Sequence, residues 1–324
     1  MIRRRSLLST ALAATAALGM AACSDDSGSE GGTGPSDGGG SDGGGSDGGG
    51  EGPGALEGVT ISEDLDAEPV VEFEPPVEVT AADSQIVVEG EGEAIAGGDV
   101  VIMRSAYVDA SSGEMLQSWW QGAPASGLII DPEQIGEQAA EFFTTVTVGS
   151  RFAMAGWQND QSGQSLSLIQ VGDIDRVVAP LHAEGDPQEP SGDFPAVTLD
   201  ESGAPSLDSA PEGEAPTATA RELLIEGTGD PTREGDYLTM HYTGWTWSDG
   251  EQFDSSWERG APFSFVQGAE QVITGWDEQL LDVPVGSQVM LVIPPEDAYG
   301  DQGELAGETL VFVIDILDAA HDNA

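Results

Sequence analysis

The stretch HYTGWTWSDGEQFDSSWERGAPFSF, residues 241–265, gathers Tyr242, Trp245, Trp247, Phe253, Trp257, Phe263 and Phe265 around Asp254 and, five residues on, Arg259. The chain as a whole has only 6% aromatic residues, so its large rings are concentrated here. Rings at that density build a dry wall. A carboxylate among them is costly unless a cation partners it, and Arg259 is spaced to do so. The parts for other chemistries are missing: three scattered His and one Cys give no metal-ligand set. No Ser-His-Asp pattern or phosphate-cradling glycine loop is evident.

The elements around this stretch read mostly as β. Leu238, Met240 and Tyr242 alternate with Thr239, His241 and Thr243, the period of a half-buried strand, which turns His241 to the surface and away from any catalytic role. Phe263 and Phe265 share one face of another strand, with Phe265 a core residue. Val289, Leu291 and Ile293 share a face of a third, and Leu310, Phe312, Ile314 and Ile316 of a last. QVITGWDEQLLD breaks the period, because Val272, Trp276 and Leu280 recur every four residues and predict one short helix. Antiparallel strands with one short helix give an α+β unit in which the sheet wraps the helix.

The unit occurs twice. VVEGEGEAIAGGDVVIMRSAY from Val87 parallels LIEGTGDPTREGDYLTMHYTG from Leu224, SGEMLQSWWQGAP parallels DGEQFDSSWERGAP, and VTVGS parallels VPVGS. The offset is 137 residues, with one slip before GAP. Between the copies, residues 183–218 are rich in Pro, Gly, Ser and acids and read as a linker.

The chain carries a formal charge of -50, from 59 Asp and Glu against 9 Arg, and no Lys. That balance excludes nucleic acid as a partner, since a phosphate backbone needs a basic face. Arg3, Arg4 and Arg5 precede an apolar run from Leu7 to about Leu18, too short to span a bilayer, which ends in Met20-Ala21-Ala22-Cys23. Small residues before the only cysteine resemble a bacterial lipobox, in which the signal is cut and Cys23 is lipidated. Three SDGGG units from Ser36 onward hold nothing to bury, so residues 23–55 read as a disordered tether. The expected order is a lipoprotein signal peptide at 1–22, the tether at 23–55, a first domain at 56–182, the linker at 183–218, a second domain at 219–319 and a tail at 320–324. The expected location is the cell membrane, anchored through the lipid on Cys23 and facing the extracytoplasmic side.

Residues 219–319 resemble the FKBP-type peptidyl-prolyl cis-trans isomerases. The family's blocks stand here in order: His241-Tyr242-Thr243-Gly244, Phe253-Asp254-Ser255-Ser256, Pro262-Phe263-Ser264-Phe265, Val272-Ile273-Thr274-Gly275-Trp276, Val285-Gly286 and Ala298-Tyr299-Gly300. The resemblance implies two FKBP-like domains, each an antiparallel β-sheet wrapped around one short α-helix, the second intact. It also implies the chemistry. Rotation of an X-Pro bond meets a barrier of about 18–20 kcal/mol, and no bond is made or broken. A dry aromatic cavity helps by binding the twisted amide better than the planar one. Lowering the barrier by about 5 kcal/mol gives several thousandfold.

By this resemblance Tyr242, Asp254 and Tyr299 are the catalytic residues, and Phe253, Arg259, Phe263, Val272, Ile273, Trp276 and Phe312 bind substrate. Trp276 forms the floor under the proline ring, while the Ile273 N–H and the Tyr299 hydroxyl hold carbonyls. Asp254 polarises the twisted amide or, with Arg259 and Tyr242, braces the wall as a buried hydrogen-bonded pair. No cofactor or metal is implied. Partners are proline-containing polypeptides among exported proteins, and the cavity is a candidate macrolide site. Two departures stand out: GDQGELAGE after Tyr299 is short and acidic where the family has a longer apolar loop, and Gln271 replaces a common acid. The first copy is degenerate, with Ser105 for Tyr242, Leu116 for Phe253, Gln117 for Asp254 and Ala139 for Trp276. Trp119, Trp120 and Trp157 there are core or edge aromatics or, alternatively, a replacement binding surface. The rival reading of the whole chain is a non-catalytic, chaperone-like or partner-binding surface lipoprotein.

Overall fold

The computed structural model describes residues 54–159, 165–189, 191 and 194–321. The expected signal peptide, the lipidation site Cys23 and all but the last two residues of the tether lie outside them. In chain order the elements are β1 (Thr60–Ile61), β2 (Val71–Glu72), β3 (Asp83–Val88), β4 (Val100–Asp109), β5 (Met115–Ser118), β6 (Ser126–Ile129), α1 (Pro132–Ile135), α2 (Glu137–Phe143), β7 (Arg151–Asn159) and β8 (Ser165–Val178). There follow β9 (Gly185–Pro187), β10 (Val197–Leu199), β11 (Pro205–Leu207), β12 (Ala220–Gly227), β13 (Tyr237–Thr246), β14 (Gln252–Ser255), β15 (Phe263–Val266), α3 (Thr274–Gln279), β16 (Gln288–Ile293) and β17 (Leu310–Ala320).

The fold is α+β, built on two antiparallel sheets. The second runs β14-β13-β17-β16-β12-β9 with β15 also on β13, and the first runs β3-β7-β8-β4-β5 with β6 also on β4. Strand for strand these are the same pattern, since β4, β5, β6, β7, β8 and β3 pair as β13, β14, β15, β16, β17 and β12 do. β9 is an addition to the second sheet, laid on β12 from Ile225 to Gly227. α3 lies on one face of its sheet, with Trp276 and Leu280 packed among Met240, Tyr242, Leu291, Phe312 and Ile314. The four-residue spacing of Val272, Trp276 and Leu280 is thus one buried stripe, although Val272 precedes the helix. In the first unit the corresponding helical stretch is broken at Gly136 into α1 and α2.

The central strands β13, β16 and β17 are buried on both faces, which the alternation did not foretell. Thr239, His241 and Thr243 are as enclosed as their apolar neighbours. Thr239 and Thr243 bond the hydroxyls of Ser264 and Ser255 at 3.1 and 3.0 Å, which lets polar side chains sit without water.

Much of the cover comes from the stretch expected to be a linker. Phe194, Val197, Leu207 and Ala215 pack on Trp245, Trp247, Met290, Val292, Val311 and Val313. The β10–β11 hairpin is the centre of this strap. The first unit has the same device: the β1–β2 hairpin and its flanks place Leu56, Ile61, Val71 and Phe73 on Val108, Ala153, Ile169 and Val171. The repeat therefore includes a strap ahead of each sheet, and residues 194–218 belong to the second unit. Isolated apolar residues in a Pro, Gly and acid background look like solvated chain until the bare back of a sheet is there to receive them.

Candidate functional site

The helical face of the second sheet carries the rings. β13 supplies Tyr242, β14 Phe253, β15 Phe263, α3 Trp276 and β17 Phe312. Trp276 lies at the centre, 5.1 Å from Tyr242 and 5.1 Å from Phe312 by ring centroids, each pair near perpendicular at 82°. Phe263 stands 5.9 Å from Tyr242 and 6.0 Å from Trp276, and Phe253 meets Phe312 edge-on at 5.5 Å. Such edge-to-face pairs are favourable beyond their buried area and fix the relative tilt of the walls. Gly244 allows the closest approach: a Cβ there would lie 2.6 Å from Phe253 and 2.7 Å from Phe312.

Polar groups are few and placed at the edge. The Tyr242 hydroxyl donates to Asp254, and Arg259 pairs with the other Asp254 oxygen. Arg259 also donates to the Tyr242 oxygen at 3.0 Å, with its guanidinium 5.4 Å over the Tyr242 ring. This trio was expected to be buried. Its charged members are on the rim, with side chains 46% exposed for Arg259 and 38% for Asp254, because β14 is the sheet edge. Burial and the bond to Asp254 push the Tyr242 phenol up to about 12, so it stays protonated as a donor.

The floor is dry. Trp276 is buried, and its indole N–H has no hydrogen-bond partner among the described residues. Ile273 caps α3 in an extended conformation and accepts from Trp276 N and Asp277 N. Its own N–H is not engaged by any described residue. Asp277 accepts from Gly268 N and Glu270 N at 3.0 and 2.9 Å, and Gln271 accepts from Val266 N at 3.0 Å. These bonds fix the turn that presents Val272 and Ile273, both packed against the ring cluster. Gln271 thus does a bracing job with its side chain.

Tyr299 stands apart from the ring cluster, 46% exposed, and its hydroxyl makes no hydrogen bond to a described residue. The loop after it is closed by Gly307 N to Gly300 O at 2.8 Å, which folds Leu305 onto the cluster. Leu305 was not singled out from the sequence, although it is the one large apolar side chain in GDQGELAGE. His241, expected at the surface, is buried. Its Nδ1 lies 2.8 Å from Ser256 Oγ and its ring stacks on Trp257 at 4.1 Å. Burial, with Arg259 adding, holds its pKa down to about 4, so it is neutral near pH 7. Ser256 also accepts from Tyr242 N at 2.8 Å. The FDSS block therefore positions Tyr242 twice, through Asp254 on its hydroxyl and through Ser256 on its backbone.

In the first unit, sheet register puts Ser105, Ser126 and Gln170 where Tyr242, Phe263 and Phe312 stand. Tyr107 occupies the place of Gly244 and is buried, its phenol pushed up to about 12 by burial. Gln170 donates to Ser105 Oγ at 3.2 Å. Side chains that bond one another fill the space that rings enclose in the second unit. Trp119 and Trp120 touch edge to face at 5.5 Å and lie over Arg104 and Arg151. Among the described residues no group of three His, Cys, Asp or Glu side chains is placed to hold a metal ion.

Comparison with known proteins falls on the second unit. Residues 229–317 match the family model described as FKBP-type peptidyl-prolyl cis-trans isomerase. An FK506-binding protein of Streptomyces anulatus is 43% identical over 112 residues, covering 33% of this chain and 90% of that one. A probable FK506-binding protein of Corynebacterium glutamicum is 41% identical over 112 residues, 34% of this chain and 93% of that one. FK506-binding protein 2 of Emericella nidulans is 50% identical over 90 residues, 27% of this chain and 67% of that one.

Proposed function

The chain belongs to the family of FKBP-type peptidyl-prolyl cis-trans isomerases, and from that membership we propose that its second unit turns X-Pro bonds in exported polypeptides on the outer face of the cytoplasmic membrane. The observation that carries the reading is the Tyr242–Trp276–Phe312 enclosure, closed by Phe253 and Phe263, with polar groups at its edge alone. A planar prolyl amide is strongly polar. Twisting it removes the resonance and much of the polarity, so a dry site favours the twisted form. The proline ring stacks on Trp276. The Ile273 N–H and the Tyr299 hydroxyl take substrate carbonyls, and Asp254, held by Arg259 and Tyr242, acts on the rotating amide from the rim. The first unit, its space filled by Ser105, Tyr107 and Gln170, does not catalyse. The relatives are named for binding FK506, and the same cavity offers a macrolide its apolar walls.

Cys23, with Met20-Ala21-Ala22 before it, supplies the lipid anchor, and residues 23–55 the tether. The test is prolyl exchange on a model peptide by NMR, with the whole chain and with Trp276→Leu. Catalysis by the first that is lost in the second supports the reading, and no catalysis by a folded chain leaves a binding protein. Incorporation of labelled palmitate that vanishes in Cys23→Ser tests the anchor.

A further inference from the structure

The two units meet along an apolar seam in which Val100, Ile102 and Ala125 pack with Leu317, Ala320 and Tyr237. Beside the seam lies a cleft of about 500 Å³, with Arg104, Trp119 and Arg176 on one wall and Asp230, Val285 and Asp318 on the other. That volume is in the range of small-molecule sites.

Asp173 and Asp318 are held by short bonds, whereas Arg104 has only long ion pairs, to Asp175 and Asp173. Asp173 is held by Arg151 through bonds of 2.6 and 2.8 Å. Arg176 holds Asp318 at 2.9 and 2.6 Å and also bonds Asp175. Arg104 makes no hydrogen bond to any described residue. Its nearest carboxylate oxygens, on Asp175 and Asp173, are at 3.8 and 4.0 Å, beyond bonding reach. Its Nε is buried without a partner, while the guanidinium carbon sits 5.2 Å over the ring of Trp119. A buried donor left unmade costs about 1–3 kcal/mol. The side chain as a whole is still 28% exposed, so its outer N–H groups face the cleft.

A guanidinium that lies over an indole and makes no hydrogen bond to a described residue can take a planar oxyanion through two parallel bonds. Asp173 and Asp175, about 4 Å away, oppose a dianion more than a monoanion, which favours a carboxylate over a phosphate monoester. Ile102, Ala125 and Val285 offer the rest of such a ligand apolar contact. We propose that this cleft binds a small monocarboxylate on an apolar stem, the carboxylate on Arg104 and the stem against Trp119 and Val285. The site is separate from the aromatic enclosure and independent of the isomerase reading.

The test is calorimetry on the whole chain with N-acetylphenylalanine and with its amide. The acid is expected to bind, with affinity reduced about tenfold or more for the amide and for the Arg104→Gln chain. Trp276→Leu is expected to leave binding of the acid unchanged. Equal affinity for acid and amide overturns the proposal. So does undiminished binding by a folded Arg104→Gln chain, or no binding of the acid at millimolar concentration. Loss of binding in a folded Trp276→Leu chain puts the ligand in the aromatic enclosure and overturns it too. The acid-against-amide comparison needs no variant, so a misfolded Arg104→Gln still leaves a decisive result.

Discussion

Gln288 donates its side-chain amide to Asp315 at 2.7 Å across β16 and β17, at the register where the first sheet sets Arg151 against Asp173. Both pairs anchor a segment outside the sheet. Arg151 reaches the carbonyls of Ser62 and Asp64 in the first strap at 2.9 and 2.8 Å, and Asp315 accepts from Ala183 N at 2.8 Å. The difference is charge. Asp173 has a cation and Asp315 only an amide, so burial pushes the Asp315 carboxyl up to about 6, despite the bonds from Ala183 and Gln288.

Two buried groups then act in opposition as pH changes. Asp315, raised in the folded state, favours folding most at low pH and loses that contribution as pH rises through about 6. His241, lowered to about 4, favours folding at neutral pH and loses its contribution as pH falls from its ordinary value through 4. Between pH 4 and 6 the two largely cancel. Asp315→Asn is expected to leave stability that rises with pH in this window, and His241→Gln stability that falls, each by up to about 1.4 kcal/mol per pH unit relative to the parent. Urea unfolding at pH 4.5, 5.0, 5.5 and 6.0 measures both, and equal slopes in all three proteins would sink the account.

Removing Trp276 separates shape from stability. Trp276→Leu keeps an apolar side chain against Leu280 but takes away the ring that Tyr242, Phe263 and Phe312 lean on. Prolyl exchange is expected to fall by about tenfold or more, and stability by about 1–3 kcal/mol. Tyr242→Phe loses only the rim bonds to Asp254 and Arg259. Since both charges are more than a third exposed, its stability should change by less than about 1 kcal/mol while activity still drops. Activity unchanged in both variants would mean that the enclosure is not where catalysis occurs.

How much of this could be read in advance depends on what each residue is buried against. The ring cluster and the helix were legible because they are local: alternation over 238–242 and 310–316 and the four-residue stripe through Trp276 lie in continuous sequence. His241 was misjudged by the same alternation, which describes a sheet with one wet face. Here the back is covered, and Trp257 rather than water lies on the imidazole. The straps were illegible for a related reason. Phe194, Val197 and Leu207 show no period, and their burial is decided by Trp245 and Trp247, roughly 40–50 residues away. Leu305 likewise is a lone apolar residue in an acidic loop, and only closure at Gly300 and Gly307 turns it inward.

The strap makes a prediction that a linker does not. Phe194→Ala removes a partly buried ring from the cover over Trp245, Met290 and Val311. A loss of about 1–3 kcal/mol is expected in denaturant unfolding, smaller than for a fully buried Phe. A freely solvated linker would tolerate the change within about 0.5 kcal/mol. The first unit's Phe73→Ala should behave alike, since Phe73 packs in the equivalent cover over Val108 and Val171.

Gly244 offers the sharpest test of the enclosure, because the smallest substitution there should matter. A methyl group would stand 2.6 Å from the Phe253 ring and 2.7 Å from Phe312, below any contact that carbon atoms tolerate, so at least one ring must move. Those two rings meet edge to face, and Phe312 leans directly on Trp276. Gly244→Ala is expected to cost about 1–3 kcal/mol of stability and to slow prolyl exchange several-fold, mainly by displacing walls rather than by removing a polar group. The tryptophan signal of Trp276 in a heteronuclear NMR spectrum should shift with it. If the variant is as active and as stable as the parent with that signal unmoved, the rings are not packed as described, and the physical case for a closed aromatic cavity falls with them.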